Sequence, residues 1–409
     1  LLNGADDVFT GRQNLETDAA PVLDETHGKV YASTPCPAEY TNDALNIPNI
    51  KHSFKDGMCS VCGAYESEPE LKDGVYQLKT KGDLYWFAEQ INSGNTDLDA
   101  VLVNDITVNT GTMSESTRGA MEWTPIGNDS NKYTGTFNGQ GHIISGLYFH
   151  DESAYYVGLF GYVGSGGKIS NVGVVDSYLS GRACVGGVCG MNEGTITGCY
   201  NTGIVRAGSG SECVGGVCGV NEGTITGCYN TGEVSGEMGV GGVCGYNDRG
   251  TITNCYYLET CNAEGTEFTA TEGTAKTAAQ FASGEVCYLL NGADNVFAWR
   301  QTIGEDALPV WDQTHGKVYA SYPCPAEFSN TKAGIPTVEH NFQDGICTVC
   351  GAFEIEPEQI DGVYQLKTVT DLYWLAEQVN SGNTDLDAVL VNDITVNTGE
   401  LSESTTDAK

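Results

Sequence analysis

The sequence predicts a mainly β protein, built as a parallel β-solenoid with small connector modules and a capping helix. Three observations predict this class. A long repeat recurs at an offset of 288 residues, a short Gly-rich repeat recurs every 26 to 29 residues, and each copy of the long repeat carries one Cys and His cluster. Long repeats suggest a tandem array, and steps of 25–30 residues suit solenoid coils.

The long repeat covers most of both ends of the chain. LLNGADDVFTGRQ from Leu1 returns as LLNGADNVFAWRQ from Leu289, and GVYQLK from Gly74 returns from Gly362. The 409 residues therefore hold one period of 288 residues and about four-tenths of the next. We expect the chain to be a segment of a longer repeat protein.

The repeat boundaries predict eight segments. They are a short β module (1–35), a Cys3His connector (36–72), a strand and capping helix (73–99), a β-helix (100–262), a linker and helix (263–292), a second β module (293–323), a second connector (324–360), and a second cap helix with its first coil (361–409).

Two helices are predicted around the solenoid. In DLYWFAEQIN the apolar residues Leu84, Phe87, Ala88 and Ile91 share one helical face, so this helix should seal the first coil. Near the other end, Thr277 is a candidate N-cap and Gly292 a candidate C′ residue, which predicts one continuous helix between them.

The short repeat defines the coils. GLFG at Gly158 is followed by GVCG at Gly187, Gly216 and Gly242, in steps of 29, 29 and 26. An Ile-x-x-apolar pattern accompanies it, and equivalent residues of a solenoid stack about 4.8 Å apart. The predicted core pairs are Ile144 and Leu147, Ile169 and Val172, Ile196 and Cys199, Ile225 and Cys228, and Ile252 and Cys255.

This register places most coil cysteines in the core. Cys189, Cys218 and Cys244 occupy the position of Phe160, while Cys199, Cys228 and Cys255 occupy that of Leu147 and Val172. Because a thiol packs as a small hydrophobe, we expect inward thiol ladders. Disulfides between neighbours such as Cys189 and Cys199 remain an alternative, and Cys184 and Cys213, one coil apart, are a further candidate pair. Asn192, Asn221 and Asn247 are expected to form an amide ladder.

The two Cys and His clusters predict structural zinc sites. Both have the form C-x15-H-x6-C-x2-C, and three thiolates with one imidazole make a closed tetrahedral donor set. The predicted ligands are Cys36, His52, Cys59 and Cys62 in the first cluster, and Cys324, His340, Cys347 and Cys350 in the second.

Other chemistry for these clusters stays open. A CxxC disulfide with one spare cysteine is possible in an oxidising compartment, and a redox-active CxxC is a further alternative. Iron also binds such donor sets, so the sequence does not distinguish it from zinc. Metal uses all four groups, whereas disulfides leave one of three cysteines over, and the connectors have few large apolar residues to fold without a cross-link.

Composition excludes some classes of partner. A formal charge of −35 disfavours nucleic acid, whose phosphates are bound by Lys and Arg. No apolar run approaches the length of about 20 residues that a membrane helix needs, so no membrane insertion is expected.

The stretches GLFGYVGSGGKISNVGV and VGGVCGMNEGTITGCYNTG resemble the GLUG-motif repeats of bacterial surface proteins. The lead-in WTPIGNDSNKYTGTFNGQGHIISGL resembles the opening coils of the same proteins, so the resemblance covers roughly residues 83–290. Some of those proteins are immunoglobulin A-cleaving metallopeptidases, and others are large secreted or cell-wall-attached proteins of Gram-positive gut bacteria. The resemblance implies a right-handed parallel β-helix on an extracellular protein.

The peptidase activity does not carry over, because none of the six histidines lies in an HExxH motif. We expect no enzyme and no catalytic residue. The leading hypothesis is a structural or adhesive segment, secreted or cell-wall-attached, that forms a rigid stalk or self-assembles with neighbouring repeats or chains into a fibre. The alternatives are a module that binds host or dietary glycans through surface aromatics and, less favoured, a polysaccharide-degrading enzyme.

Overall fold

A computed structural model of the protein describes residues 29–42, 45–261, 273–292, 298–343, 345–354, 356–380 and 385–396, together with Gln13, Thr17, Ala20 and Asn383. It divides the chain into two compact units. The first comprises residues 1–281, 289–299 and 310–313; the second comprises residues 282–288, 300–309 and 314–409. Most of the predicted β module before Ser33 lies outside the described residues, as do all of 262–272, the start of the second β module (293–297) and the end of the last predicted segment (397–409).

Most of the first unit is a solenoid with four faces, and each face is a sheet of parallel strands. The four coils that begin at Thr136, Lys168, Thr195 and Thr224 each contribute strands to face 1, face 2, face 3 and face 4 in turn, and the coils at either end contribute strands to faces 1 and 2.

Their bounds are as follows. Face 1 contains Val75–Leu78, Asp99–Leu102, Thr136–Asn138, Lys168–Ser170, Thr195–Thr197, Thr224–Thr226 and Thr251–Thr253, with Glu70–Lys72 antiparallel at its edge. Face 2 contains Ile106–Thr107, Ile143–Ser145, Gly173–Val175, Tyr200–Asn201, Tyr229–Asn230, Tyr256–Leu258 and Thr274–Lys276. Face 3 contains Tyr148–His150, Tyr155–Val157, Tyr178–Gly186, Ile204–Gly215, Val234–Ser235 and Met238–Gly241. Face 4 contains Phe160–Val163, Cys189–Asn192, Cys218–Asn221 and Cys244–Asn247.

The prediction of a mainly β solenoid is therefore confirmed: the coils stack, and their strands pair into parallel sheets. Its handedness stays a prediction, as do the tandem array of 288-residue periods and the segment boundaries. Within the described residues, no helix is long and apolar enough to cross a membrane.

The isoleucine column forms on face 1, with one correction. Ile169, Ile196, Ile225 and Ile252 stack in register as predicted. In the coil before them, however, the equivalent residue is Phe137, whereas Ile144 lies on face 2 opposite Val174. The predicted register of Ile144 and Leu147 was wrong, because the spacing from Ile144 to Ile169 imitates the later coil steps.

The inward thiol ladders are confirmed. Cys189, Cys218 and Cys244 pair in register behind Phe160 on face 4. Each donates its S–H to the carbonyl two residues later, and Cys199, Cys228 and Cys255 donate to the carbonyl two residues earlier. All sixteen cysteines lie in the described part of the chain, and there the structure has them as thiols without disulfide bonds. Burial raises the pKa of the Cys218 and Cys228 thiols well above the usual value, which keeps them protonated.

The asparagine ladder is also present. The Asn192 amide donates to the Asn221 side-chain oxygen at 2.7 Å, and Asn221 donates to Asn247 at 2.8 Å. Sequence reasoning missed a second ladder on face 2, in which Asn201 donates to Asn230 at 2.8 Å. The repeated CYNTG that precedes each turn is the signal that marks it.

Replacement of Asn230 by alanine should cost about 1–3 kcal/mol of the free energy of unfolding. Asn230 is fully buried; its amide donates to Gly232 O at 2.9 Å and its oxygen accepts from Gly232 N at 3.1 Å and from Asn201. The substitution leaves three buried polar groups short of a partner. Urea unfolding measures the loss, and Asn95→Ala, at an exposed amide, is the control. Equal stability of the two variants would mean that the ladder does not stabilise the stack.

The cap helix Lys81–Asn92 begins at a capping box formed by Thr80 and Asp83. Leu84, Phe87, Ala88 and Ile91 are buried as predicted. The Phe87 ring lies 6.0 Å from the Tyr133 ring and 6.1 Å from that of Phe137. The helix thus closes the N-terminal end of the core.

The helix predicted from Thr277 to Gly292 is broken in two, Ala278–Ala282 and Glu285–Asn291. Thr277 does cap the first part, since its hydroxyl accepts from Gln280 N at 3.1 Å. The interruption comes at Gly284, which adopts φ +90°, a left-handed conformation that no α-helix contains.

The second unit repeats the connector and cap elements. Its strand pairs are Tyr319–Ala320 with Phe328–Ser329, Tyr322–Pro323 with Thr337–Val338, Phe342–Gln343 with Ile346–Cys347, and Gln359–Ile360 and Ala388–Leu390 on either side of Val363–Leu366. Lys332–Gly334 is a 3-10 turn and Val369–Asn380 is the second cap helix. The matching first-unit pairs are Tyr31–Ala32 with Tyr40–Thr41, Thr34–Pro35 with Asn49–Ile50, and Phe54–Lys55 with Met58–Cys59.

Candidate metal centres

The structure brings together all four predicted donors of each connector. The sulfur and ring-nitrogen atoms of Cys36, His52, Cys59 and Cys62 lie within 4.8 Å of one another, and the same holds for Cys324, His340, Cys347 and Cys350. Residues from separate loops converge here although the chain between Cys36 and His52 is long. The two clusters are therefore built sites that can hold a metal ion.

A hairpin positions the CxxC half of the first cluster. Strands Phe54–Lys55 and Met58–Cys59 pair antiparallel across a turn in which Asp56 and Gly57 have φ values of 52° and 78°. Two positive φ values are typical of a tight hairpin turn that suits twisted strands. Beyond the hairpin, Gly63 N donates to Cys59 O at 3.0 Å and closes the loop that carries Cys62.

A second loop brings Cys36 to the hairpin. Strands Thr34–Pro35 and Asn49–Ile50 run parallel, and Cys36 N donates to Ile50 O at 3.0 Å. This pairing sets Cys36 beside the segment that leads into His52, whose ring stacks on Phe54 with centroids 5.2 Å apart.

Ser33 is a supporting residue that sequence reasoning missed. Its buried hydroxyl donates to Cys36 O at 2.6 Å and accepts from Ala38 N at 2.9 Å and Glu39 N at 3.0 Å. Ser321 makes the same three bonds around Cys324. The serine three residues before each CPAE is the sequence signal for this role.

The distances within the clusters fit a tetrahedral metal. Cys36 Sγ lies 3.6 Å from both Cys59 Sγ and Cys62 Sγ, and Cys62 Sγ lies 3.3 Å from His52 Nδ1. Zn–S bonds of about 2.3 Å and Zn–N bonds of about 2.0–2.1 Å put tetrahedral sulfurs about 3.8 Å apart, and sulfur and nitrogen about 3.6 Å apart. A disulfide needs sulfurs about 2.05 Å apart. The second cluster matches, at 3.6 Å for Cys324–Cys347 and 3.3 Å for Cys350–His340.

In the first cluster, the local electrostatics favour ionisation of only one thiol when no cation is bound. Backbone N–H groups of Cys62 and Val61 that point at Cys59 lower the pKa of its thiol to about 5. Burial, together with the neighbouring Cys59 and Cys62 sulfurs, raises the pKa of Cys36 to about 12. Three adjacent thiolates repel one another, so a bound cation is needed to keep all three ionised.

In the second cluster, likewise, one cysteine has a raised pKa and one has a lowered pKa. Burial and the Cys350 and Cys347 sulfurs raise the pKa of Cys324 to about 12. At Cys347 burial acts to raise the pKa, but N–H donation from Cys350 and Val349 outweighs it and lowers the value to about 5. A lowered cysteine pKa suits a reactive CxxC as well as a metal ligand. The convergence of a third sulfur and an imidazole on the same point favours the metal.

The first connector packs directly on the cap helix of the solenoid. Gly82 N donates to Asp56 O at 3.0 Å, and Lys81 Nζ lies 3.8 Å from the Asp56 carboxylate. A Cβ at Gly57 would come within 2.3 Å of the Thr80 hydroxyl, so only glycine fits this contact without a shift. The cluster and the solenoid are thus joined by close backbone packing.

The aromatic stack on face 2 is covered. Tyr200 and Tyr229 stack with ring centroids 4.9 Å apart, and Trp299 packs on both. Phe281 lies 5.8 Å from Tyr229, and the Trp311 indole N–H donates to Gly198 O at 2.8 Å. These tyrosines are buried within the first unit and do not offer an open platform to a sugar ring.

Comparisons with known proteins agree with the coil pattern. The model of the GLUG motif matches residues 210–235 and 236–256. A candidate Gly-rich membrane protein of Evansella cellulosilytica is 35% identical over 81 residues, which is 19% of this chain and 9% of that protein. Halomucin of Haloquadratum walsbyi is 32% identical over 125 residues, 30% of this chain and 1% of that protein. The chain thus corresponds to a small part of each relative.

One solved structure is weakly similar to this chain. A crystal structure of a candidate immunoglobulin A1 protease from Bacteroides ovatus has a TM-score of 0.42 and 21% identity, covering 62% of this chain and 97% of that chain. A likeness of this degree defines neither fold nor activity. What the comparisons do establish is that this chain carries GLUG motifs, placed on the later coils of a parallel solenoid.

Proposed function

We propose that the chain is a non-catalytic structural segment of an extracellular surface protein, in which zinc-stapled connectors alternate with short β-solenoids to form a stiff stalk. The names of the relatives, a Gly-rich membrane protein and halomucin, support a surface location. Both relatives are far longer than the matched stretches, which suits a segment of a large repeat protein. The ligands of the two zinc ions are the eight cysteine and histidine residues of the connectors.

The observation that carries the proposal is the packing of the first connector on the solenoid cap. A flexible linker would leave the hairpin turn in solvent, but Asp56 and Gly57 contact the first turn of the cap helix through main-chain atoms. Main-chain contacts of this kind restrict rotation between the connector and the coils. A neighbouring chain or repeat is the expected partner, since stacked strands offer their edges to further strands.

Small-angle X-ray scattering of proteins with one, two and three periods tests the stalk. We expect the maximum dimension to rise by equal steps, because each period adds a fixed length. The Gly57→Ala variant should lose part of this proportionality, since its Cβ meets Thr80. Gly63→Ala is the matched control: Gly63 has a similar φ of 74°, but its Cβ position faces open space. A dimension that grows like that of a flexible chain in the unaltered protein would contradict the proposal.

A further inference from the structure

Two cysteines stand apart from the inward ladders. Cys184 and Cys213 lie on the outer side of the solenoid, half-buried against Tyr162, Met191 and Val220. The inward thiols Cys189 and Cys218 are fully buried in the core. Solvent oxidants can therefore reach Cys184 and Cys213 but not Cys189 or Cys218.

The strand register puts the two residues side by side. Ala183 pairs with Glu212 and Val185 with Val214, in parallel, so Cys184 and Cys213 are direct neighbours on successive coils. Neighbouring strands lie about 4.8 Å apart, and a disulfide spans Cα atoms about 4.4–6.8 Å apart. The stacking of the coils thus provides the Cα separation that a disulfide needs.

The backbone conformation at this column turns side chains along the stack. Cys184 and Cys213 both have positive φ, 54° and 66°, as does their equivalent in the next coil, Gly239, at 59°. A Cβ built on Gly239 lies 3.4 Å from the Cys213 Cα of the preceding coil. With the same conformation, the Cys213 Cβ leans toward Cys184, and the Cys184 Cβ leans toward Tyr156 of the coil before it, which also has a positive φ of 61°. The Cys184 sulfur therefore has to rotate back about χ1 to meet Cys213. Non-glycine residues rarely adopt this conformation, and such residues often mark functional positions.

The glycines of the GVCG motif hold the column in place. A Cβ on Gly190 would lie 2.7 Å from Cys184 O, and one on Gly219 would lie 2.6 Å from Cys184 C. A Cβ on Gly245 would lie 2.7 Å from Cys213 C. Face 4 therefore packs against the backbone of both cysteines, which fixes their separation.

We propose that Cys184 and Cys213 form a disulfide that ties two neighbouring coils together, with a small disulfide such as oxidised glutathione as the oxidant. One thiolate attacks the small disulfide, forms a mixed disulfide and releases one glutathione thiolate. The other cysteine thiolate then attacks the protein-bound sulfur and releases the second. The two cysteines lose two protons and two electrons, and the oxidant becomes two thiols. The bond is independent of the metal sites.

The test is disulfide mapping of the folded full chain in zinc-containing buffer, equilibrated with oxidised glutathione. Remaining thiols are alkylated in denaturant, and the unreduced digest is analysed by mass spectrometry. We expect linked peptides containing Cys184 and Cys213, lighter by two hydrogen atoms than their sum, with Cys189 and Cys218 alkylated. Two alkylated or glutathionylated outer cysteines, or a bond from either to another cysteine, would overturn the proposal.

The single variants Cys184→Ser and Cys213→Ser provide the controls. Each should keep glutathione on its remaining outer cysteine, because the second thiolate that would displace it is missing. Circular dichroism checks that the variants are folded, and the reciprocal variant serves if one is not. If the remaining cysteine instead links to a core thiol, the assigned pairing is wrong.

Discussion

Removal of metal should unfold both connectors and leave the solenoid folded. The connector strands around Cys36 and Cys59 are two residues long, and many of their side chains are exposed, including Phe54 and Lys55. A structural zinc ion supplies an apparent binding free energy of about 10–16 kcal/mol to small domains, and a connector with so small a core cannot replace it. The solenoid has its own continuous core and needs no ion.

Hydrogen exchange with and without a strong chelator measures this effect. Amides such as Cys36 N and Gly63 N should lose protection, whereas amides between coils, such as Val188 N and Val217 N, should keep it. Cys59→Ser and Cys347→Ser form a matched pair, since each should unfold only its own connector. If the connector amides keep full protection from exchange after the metal is removed, the clusters do not hold the connectors folded.

Replacement of Phe160 by alanine should destabilise the solenoid by about 3–5 kcal/mol. The ring is fully buried, with centroid distances of 5.2 Å to both Tyr133 and Phe137. Later coils place Cys189, Cys218 and Cys244 at this position, so the phenyl ring fills the extra interior space beneath the cap helix. Alanine leaves a cavity that the neighbouring coils cannot close without shifting.

Denaturant unfolding followed by circular dichroism measures the loss. Tyr155→Ala is the control, since this ring is 51% exposed on face 3 and its removal should cost within about 0.5–1 kcal/mol. The stability of the Phe160→Cys variant should lie between those of Phe160→Ala and Tyr155→Ala. A thiol occupies the equivalent position in later coils, but it is too small to fill the volume of the phenyl ring. Similar stabilities for Phe160→Ala and Tyr155→Ala would contradict the assigned core.

The convergence of the cysteine and histidine side chains in each connector and the phase of the later coils were predictable because each depends on a regular sequence spacing. The C-x15-H-x6-C-x2-C spacing occurs twice, and a duplicated spacing of four soft donors is hard to explain by chance. The columns of Ile169, Ile196, Ile225 and Ile252 follow likewise from a regular step.

What the sequence could not predict depends on contacts between distant segments. The residue equivalent to Ile169 in the coil before it is Phe137 and not Ile144, and the Phe137 ring packs 6.1 Å from Phe87 of the cap helix, which lies about 50 residues earlier in the chain. The covering of Tyr200 and Tyr229 by Trp299 requires a chain reversal that no local pattern announces. The break at Gly284 was missed because its flanking residues keep helical periodicity.

We infer that the four donors in each connector hold one ion. X-ray absorption at the zinc edge, on the purified chain with its zinc content measured, tests this most directly. We predict two ions per chain, each with three sulfurs at about 2.3 Å and one nitrogen at about 2.0–2.1 Å. Zinc bound without sulfur, or a content below one ion per connector in the folded chain, would contradict the claim.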